Sequence, residues 1–490
     1  MGMGRNLALG AAGLVVVLAG VAAMRAATFK PPAQTDPKSV TLAPAQPVDA
    51  QRAAVRLGEA IRFQTIAHQN PADDQLAEWD KLQAWLISTY PAAHKAMTRE
   101  VVSGHTLIYT WAGSDASLKP IILMAHQDVV PITPGTEKNW KRAPFGGEIA
   151  DGYVWGRGAF DDKGSLVSIF EAIETLATGG FKPKRTVLLV SGHNEETRAG
   201  GAKAAAELLK ARNTQALFLL DEGFSGTTQD AFTGKPLARV LIAEKGYGTI
   251  RVTAAAEGGH SSSPPKETAV ATLSKAVLKI SEKRYPMRLK GPVRDSYQAL
   301  APEVSAWDRA MLANLWIFEP ALVGRIAKAP AGAAVLHTTI APTMLEGSPK
   351  ENVLPQKAVA RINFRIAPGD SSEKVMRTAR TAVGKLPVTL EWEKPPFEPT
   401  APSSTSSQGW KWISALAGES TGAAVAPGLM RAGTDSWFFK SIAPDTYLFT
   451  PMLLTPQDEK MVHGTNEKVS VEALGKMVQF YLRLIVTSAG

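Results

Sequence analysis

The chain of 490 residues contains no cysteine. It therefore has no disulfide bonds, and any metal site must be built without thiolate ligands. The absence of cysteine is compatible with either redox compartment. The sequence also lacks internal repeats, nucleic-acid-binding motifs and basic patches interleaved with aromatic residues. A formal net charge of +9 alone does not indicate a nucleic-acid partner, and we expect none.

Charged residues make up 20% of the chain and hydrophobic residues 45%, which are values of a globular protein. The length is sufficient for two domains with large cores. The densest basic stretch starts with i,i+4 spacing, which predicts a solvated helix face. Attraction to an anionic membrane surface or an acidic substrate is the alternative. This stretch consists of Lys275, Lys279, Lys283, Arg284, Arg288 and Lys290.

One long apolar run, from Leu7 to Met24, contains 18 uncharged residues and lies between two arginines. A run of this length just spans a bilayer. We predict a signal anchor over residues 1–27, in preference to a cleaved signal peptide, and a flexible Pro- and Ala-rich tether over residues 28–50. The expected location is a single-pass membrane anchor with the catalytic part outside the cytoplasm. Cleavage of the segment would instead give a secreted protein.

A short apolar run over residues 121–126 ends in His126, and Asp128 follows two residues later. Such a run is typical of a buried strand, which presents side chains at its carboxyl end. A histidine there can bind a metal, and an aspartate can fix its tautomer through the other ring nitrogen. This pair alone is weak support for a metal site, but similar groups recur downstream.

The second group is the acidic pair Asp161 and Asp162, which follows three glycines and precedes a helical pattern. Adjacent carboxylates repel each other unless a cation or hydrogen bonds offset their charge. A solvent-exposed capping loop is the alternative interpretation, mainly for Asp162.

Further strand ends carry two more acidic pairs. The apolar run 186–191 is followed by Glu195 and Glu196, and the run 216–220 by Asp221 and Glu222. Of two adjacent glutamates, one can bind a metal while the other acts as a general base on water. Exposed loops are the alternative. His463 supplies a late second histidine.

Imidazole and carboxylate ligands without thiolates suit zinc, or cobalt or manganese in its place. Five such groups exceed what a single tetrahedral zinc with an open position for water requires. Two metals that share a bridging carboxylate would use all five groups, and such pairs, about 3.5–4 Å apart, occur in aminopeptidases.

Together these segments resemble the aminoacylase, carboxypeptidase S and glutamate carboxypeptidase superfamily of di-zinc metallopeptidases. The resemblance covers about residues 50–490 and is greatest for the carboxypeptidase S and secreted N-acyl-amino-acid hydrolase branch. It rests on the segments LMAHQDVVP, GRGAFDDKGS, HNEETRAGG, LDEG and HGTNEKVSV.

The resemblance implies a role for each group of the site. His126 and His463 would each bind one of two zinc ions, Asp161 would bridge them, and Glu196 would bind one. Asp128 would orient His126, and Glu195 would be the general base. Relatives differ over the last carboxylate, and we favour Asp221 with Glu222 as the alternative.

The resemblance also implies substrate contacts. His260 would belong to a lid and stabilise the oxyanion in a neighbouring subunit or lobe. Arg365 would bind a free substrate carboxylate through its bidentate guanidinium group, and Gly433 would face the same carboxylate. Asn352 would contact the substrate. Ordinary surface roles are the alternatives for His260 and Arg365.

The predicted fold class is α/β, a mixed-sheet zinc-peptidase catalytic domain with an inserted small α+β lid. The first part of the catalytic domain spans residues 51–245 and the second part residues 397–490. The lid spans residues 246–396, with a helix starting near Pro264, strands at 337–342 and 358–366, and a helix near 372–384. The resemblance allows a homodimer through this lid.

The implied activity is metal-dependent hydrolysis of an amide or peptide bond next to a free C-terminal carboxylate. The substrate would be a small molecule, an N-acyl amino acid or a short peptide. Synthesis of N-acyl amino acids and deacetylation on the same site are alternatives. A catalytically dead, membrane-anchored binding module is a third hypothesis, but it requires the loss of a ligand or base, and none is missing.

Overall fold

The computed structural model describes residues 16–33, 35, 39–198 and 200–490. The chain divides into two compact units. The large unit comprises Pro32–Ile242, Pro402–Gly428 and Thr434–Gly490. The small unit comprises Ala243–Ala401 and Leu429–Gly433, together with the chain up to Pro31. The predicted lid, residues 246–396, lies within the small unit, which also contains a short segment near residue 430 that the sequence prediction places in the catalytic domain.

The strands are short. In chain order they are β1 (Thr98–Val102), β2 (Thr106–Trp111), β3 (Ile121–Met124), β4 (Glu148–Ala150), β5 (Tyr153–Trp155), β6 (Val187–Ser191), β7 (Phe218–Asp221), β8 (Leu237–Glu244), β9 (Gly246–Ala255), β10 (Gly259–His260), β11 (Thr339–Glu346), β12 (Val353–Leu354), β13 (Lys357–Ile366), β14 (Val388–Trp392), β15 (Ala424–Met430), β16 (Thr446–Leu448) and β17 (Lys468–Ser470).

The helices alternate with these strands through much of the chain. They are α1 (residues 16–28), α2 (Ala50–Ile61), α3 (Ala77–Thr89), α4 (Pro91–Ala96), α5 (Lys163–Thr178), α6 (Gly201–Ala211), α7 (Ala269–Ser281), α8 (Gly291–Ala299), α9 (Ala306–Ala313), α10 (Leu315–Ile326), α11 (Pro330–Leu336), α12 (Ser372–Val383), α13 (Gln408–Thr421) and α14 (Val471–Ala489).

The large unit contains an eight-stranded mixed sheet in the order β1-β2-β6-β3-β7-β16-β8-β15. β3 pairs in parallel with both β6 and β7, so the carboxyl ends of these three strands lie at one edge of the sheet. All four residues of β3 and all five of β6 are buried, as expected of parallel strands covered on both faces. Helices α5 and α14 pack against the sheet and contribute Phe170, Phe480 and Leu484 to its core. This arrangement positions the candidate site.

The small unit contains a four-stranded antiparallel sheet in the order β11-β13-β9-β14. Helices α7 and α12 bury their apolar faces with this sheet in one core. The predicted strand 358–366 and helix 372–384 are confirmed by β13 and α12. The predicted helix start near Pro264 is wrong, because α7 begins at Ala269, where the Thr268 hydroxyl accepts the Ala271 N–H.

The amino-terminal segment is described only in part, since residues 1–15 of the predicted anchor lie outside the described residues. Within the part that is described, no helix is both long and apolar enough to cross a membrane. The segment predicted as a flexible tether hydrogen-bonds to α14 of the large unit. The Ala43 carbonyl accepts from Arg483 at 2.7 Å, and the Gln46 carbonyl accepts from Gln479 at 2.8 Å.

Candidate metal centre

The candidate site lies in the large unit, where the carboxyl ends of neighbouring parallel strands meet. His126 follows β3, Glu195 and Glu196 follow β6, and Glu222 follows β7. Because β3 lies between β6 and β7, the three short loops after these strands bring their side chains to one place. All four residues are buried or nearly so. The structure therefore brings these residues, which the sequence analysis singled out, into one cluster.

Asp161 lies between the two histidines. His126 Nε2 is 2.9 Å from Asp161 Oδ1, and His463 Nε2 is 3.1 Å from Asp161 Oδ2. His463 Nε2 is also 3.1 Å from Glu196 Oε2. Each oxygen of Asp161 therefore faces a different imidazole, which is the arrangement that a carboxylate bridging two cations requires.

The geometry favours Glu222, the alternative ligand, over Asp221. Glu222 Oε1 is 3.5 Å from His126 Nε2. Both oxygens of Asp221 accept backbone N–H groups instead, from Glu222 at 2.9 Å and from Ser436 at 3.1 Å. Adjacent side chains of a regular strand point in opposite directions, so Asp221 and Glu222 cannot both face the cluster if the strand stays regular. Asp221 secures the backbone behind the cluster.

The donor set fits a divalent metal. His126, Asp161 and Glu196 each offer a ligand atom within 4.8 Å of the others, and so do His126, Asp162 and Glu222. Several buried carboxylate oxygens of this cluster have no hydrogen-bond partner among the described residues, namely Asp162 Oδ1, Glu196 Oε1 and Glu222 Oε2. Unpaired buried carboxylates are unfavourable unless a cation compensates them. Oxygen and imidazole ligands suit zinc.

Asp128 supports both the first histidine and the glutamate pair. His126 Nδ1 is 2.9 Å from the Asp128 carbonyl oxygen, so Nδ1 carries a proton and Nε2 faces the carboxylates. The Asp128 carboxylate accepts the N–H groups of Glu195 at 3.1 Å and Glu196 at 3.0 Å. Asp128 thus holds the loop that presents both glutamates, a role that its sequence position did not indicate.

The charges of the cluster shift the pKa values of its members. Burial raises the pKa of Glu195 well above its usual value, and the nearby Asp435 carboxylate adds to this shift. Burial, followed by the charge of Asp161, raises the pKa of Glu196 to about 7. Hydrogen bonds to Asp161 and Glu196 raise the pKa of His463 to about 10. A bound cation would reverse these shifts by favouring the ionised carboxylates and neutral imidazoles.

Glu467 is a supporting residue that sequence reasoning missed. It is fully buried and accepts from the Arg157 guanidinium at 2.6 Å through Oε2. Its Oε1 accepts the N–H groups of Gly158 at 2.9 Å, Phe160 at 2.9 Å and Asp161 at 3.1 Å. Glu467 therefore fixes the loop that carries the bridging aspartate. Its only sequence signal was its place four residues after His463.

Two further buried charges were also missed. Lys163 begins α5 and donates to the carbonyl oxygens of Ala60 at 3.1 Å and Phe63 at 2.5 Å. Burial lowers the pKa of Lys163 to about 7. Asp435 lies against Gly192, where a Cβ atom would stand 2.1 Å from Asp435 Oδ2. Only glycine fits at position 192, so Asp435 can approach the loop after β6.

The predicted substrate residues all belong to the small unit. His260 in β10 pairs with Val353 in β12, and the Ser261 N–H donates to the Asn352 carbonyl at 3.1 Å. This short ladder brings His260 and Asn352 into one exposed corner of that unit. The Asn352 Oδ1 atom is buried and has no hydrogen-bond partner within the described part of the chain.

Arg365 lies in β13 with its guanidinium 4.7 Å from the centre of the Tyr247 ring. Lys245 was not identified from the sequence. Its Nζ donates to the carbonyl oxygens of Ala334 at 2.9 Å and His337 at 2.8 Å. Burial, followed by the positive charge of Arg365, lowers the pKa of Lys245 to about 7. The Lys245 N–H also donates to the carbonyl oxygen of Met430, on the segment that ends at Gly433.

An α/β fold with a histidine–carboxylate cluster, buried apart from the exposed His463, at the ends of its parallel strands is typical of a metallohydrolase. Residues 122–487 match the family described as Peptidase family M20/M25/M40. The chain belongs to this family, whose members are metal-dependent and typically use zinc. It is a metallopeptidase or amidohydrolase, and the predicted resemblance is confirmed.

Curated relatives match nearly the whole chain. The "Probable carboxypeptidase S-like 2" of Dictyostelium discoideum is 35% identical over 88% of this chain and 84% of its own length. The mouse (Mus musculus) "N-fatty-acyl-amino acid synthase/hydrolase PM20D1" is 34% identical over 93% of this chain and 92% of its own length. Among solved structures, the metallo-carboxypeptidase Sso-CP2 of Sulfolobus solfataricus has the same fold, with a TM-score of 0.64 at 17% identity, covering 89% of this chain and 99% of that one.

Proposed function

We propose that the protein hydrolyses the amide bond of N-acyl amino acids or short peptides that carry a free carboxylate next to the cleaved bond. The main support for this proposal is the cluster in which one oxygen of Asp161 faces His126 and the other faces His463. His126, Asp161, Glu196, Glu222 and His463 would together hold two zinc ions. Cobalt or manganese would be substitutes.

The reaction needs a base close to these ligands, and we assign Glu195 to this role. When bound, zinc polarises the scissile carbonyl and lowers the pKa of water. Glu195 takes a proton from the attacking water and passes it to the leaving amine. Glu195 follows β6 directly beside Glu196, so its carboxylate lies next to the proposed metal ligands. Asp128 keeps Glu195 in place through the backbone N–H groups that it accepts.

We assign substrate recognition to residues of the small unit. Arg365 would bind the free carboxylate through its guanidinium group. His260 would donate to the oxyanion, and Asn352 would offer its unpaired Oδ1 to a substrate N–H. Gly433 would face the carboxylate through its backbone.

A second candidate activity is the reverse condensation of a fatty acid with an amino acid. It is favoured by the name of the mouse relative, which describes a synthase and hydrolase of N-fatty-acyl amino acids. Hydrolysis and condensation would use the same groups in opposite directions. Product analysis at high concentrations of amine and fatty acid distinguishes the two.

The membrane anchor over residues 1–27, a catalytic part outside the cytoplasm and a homodimer through the small unit are also proposals. The apolar run Leu7–Met24 supports the anchor. Strand β11 lies at one edge of its sheet, and six of its eight residues are exposed. An exposed edge strand can pair with another chain, which supports a dimer contact here.

To test this proposal, hydrolysis of a panel of N-acyl amino acids and dipeptides is measured for the wild type and for Glu195→Gln. Each is assayed with chelator and again after zinc is added back. We expect chelator-sensitive hydrolysis by the wild type. Glu195→Gln should retain zinc while turnover falls about 10²- to 10⁴-fold, the usual contribution of a general base. Full activity of the variant would refute the assigned base. Chelator-resistant cleavage would refute the metal-dependent mechanism.

A further inference from the structure

Helix α10 of the small unit exposes an apolar face. Trp316 is 53% exposed and Ile317 38% exposed, and Pro320, Ala321 and Gly324 are exposed as well. These five residues recur at i, i+1, i+4, i+5 and i+8, so they lie on one side of the helix, which we call the α10 face. A helix on the surface of a globular protein normally presents polar residues on its outer side. The opposite side of α10 carries the buried residues Leu322 and Ile326.

A second exposed tryptophan lies on the preceding helix. Trp307 of helix α9 is 65% exposed, and its ring centre lies 5.7 Å from that of Phe318 in α10. The indole N–H of Trp316 donates to the Asn314 side chain at 3.3 Å. Indole rings combine an apolar body with a polar N–H, and such rings are enriched where hydrocarbon meets water. The residue type therefore suits a lipid–water boundary.

The α10 face is also continuous with the amino-terminal apolar run. Asn314 donates to the carbonyl oxygen of Ala22 at 2.9 Å, and Arg309 donates to that of Phe29 at 3.5 Å. These bonds hold α1 beside the junction of α9 and α10. Val17 and Met24 of α1 are exposed. The described end of this run, residues 16–24 in α1, thus lies beside the start of the helix that displays Trp316.

A cation continues the same side of the helix. Lys328 is exposed just after α10, twelve residues after Trp316. Anionic lipid headgroups attract such residues. In a two-fold contact between copies of the chain, this face would meet itself and bring the two Lys328 charges into one interface, which disfavours a second copy as the occupant.

We propose that the α10 face and Trp307 rest on the surface of a lipid bilayer, with Lys328 at the level of the headgroups. This surface would fix the small unit against the membrane near the carboxyl end of α1. The proposal goes beyond the hydrolytic function and does not depend on it, since its test measures contact with lipid rather than turnover.

The absence of cysteine makes a direct test practical, because each introduced thiol is unique. Ile317→Cys and Ala321→Cys place a thiol on the α10 face. Leu278→Cys on α7 is the matched control, since Leu278 is a 62% exposed apolar residue of the same unit. Each full-length variant is labelled with a polarity-sensitive fluorophore. It is then mixed with vesicles of phosphatidylcholine with or without phosphatidylglycerol.

We expect the labels at positions 317 and 321 to shift to shorter wavelength and to become protected from aqueous iodide when vesicles are present. The label at 278 should stay accessible, and phosphatidylglycerol should increase the shift. If the protein co-floats with vesicles while all three labels remain equally accessible, the amino-terminal run binds lipid alone and the proposal is wrong. Failure to co-float also refutes it. Protection without vesicles that grows with protein concentration would assign the face to a second copy instead.

Discussion

Glu467→Ala removes a buried carboxylate that accepts four hydrogen bonds in the large unit. One comes from the Arg157 guanidinium, and three come from backbone N–H groups of the loop 158–161. Removing one partner of a buried ion pair costs about 3–5 kcal/mol, because the other charge is left uncompensated. Each buried N–H that loses its acceptor costs about 1–3 kcal/mol more. Arg157 keeps one bond, to the carbonyl oxygen of Gly464 at 2.9 Å.

We therefore expect Glu467→Ala to lower the free energy of unfolding by about 6 kcal/mol or more, a large share of the total for a typical domain. Unfolding in guanidinium chloride, followed by circular dichroism, measures this loss. The variant should also bind zinc more weakly, since the loop that carries Asp161 loses its anchor.

Two controls separate charge from hydrogen bonding. Glu467→Gln retains an amide oxygen for the three N–H groups, so it should lose less stability than alanine. Combining Glu467→Gln with Arg157→Met removes both charges, and the double variant should lose less than the sum of the single changes. If Glu467→Ala costs less than about 1 kcal/mol, the value of an exposed ion pair, the reasoning is refuted.

The remaining predictions concern the substrate carboxylate, the metal ligands and a buried lysine. Arg365→Ala should raise KM about 10- to 100-fold for free-acid substrates, because a hydrogen bond to a charged group contributes about this much. The KM for amide-capped substrates should stay the same. If the variant kept the wild-type preference for free-acid over amide-capped substrates, Arg365 would not bind the carboxylate. Glu222→Ala should reduce the zinc bound per chain by elemental analysis, whereas Asp221→Asn should retain it; the opposite result would restore Asp221 as the ligand. The pKa of Lys163 falls from 10.5 to about 7 on folding, so the unfolded chain binds more protons between these values and stability rises with pH. Lys163→Met should flatten this rise in urea midpoints between pH 7 and 10, and an unchanged slope would place the lysine in water.

Most residues of the histidine–carboxylate cluster could be singled out from the sequence, because they have local signals. Each of His126, Glu196 and Glu222 follows an apolar run that forms a parallel strand, and Asp161 precedes a helix with clear periodicity. Neighbouring positions such as Asp221 and Glu222 were harder to separate. The conformation at the end of the strand decides which of two adjacent side chains faces the cluster. That conformation depends on tertiary contacts, which the sequence does not show.

Residues whose partners are distant in the chain could not be predicted. Glu467 has its partners in the loop at residues 157–161, and Lys163 has its partners at residues 60 and 63. A charged residue in a sequence normally indicates solvent exposure, and only the tertiary contacts reveal burial. The start of α7 was misplaced for a local reason. The Pro264–Pro265 pair resembled a first helical turn, but the capping hydroxyl is that of Thr268.

The contact between His463 and Asp161 joins residues that are 302 positions apart. The large unit is also interrupted in the sequence by Ala243–Ala401 of the small unit. During synthesis, His126 and Asp161 leave the ribosome long before His463 does. The cluster can therefore close only when nearly the whole chain has been made, after Ala243–Ala401 has already emerged. Under the proposed zinc assignment, metal capture would be a late event in the maturation of this protein, and a chain truncated before residue 463 would leave a cluster of buried carboxylates without the imidazole that faces them.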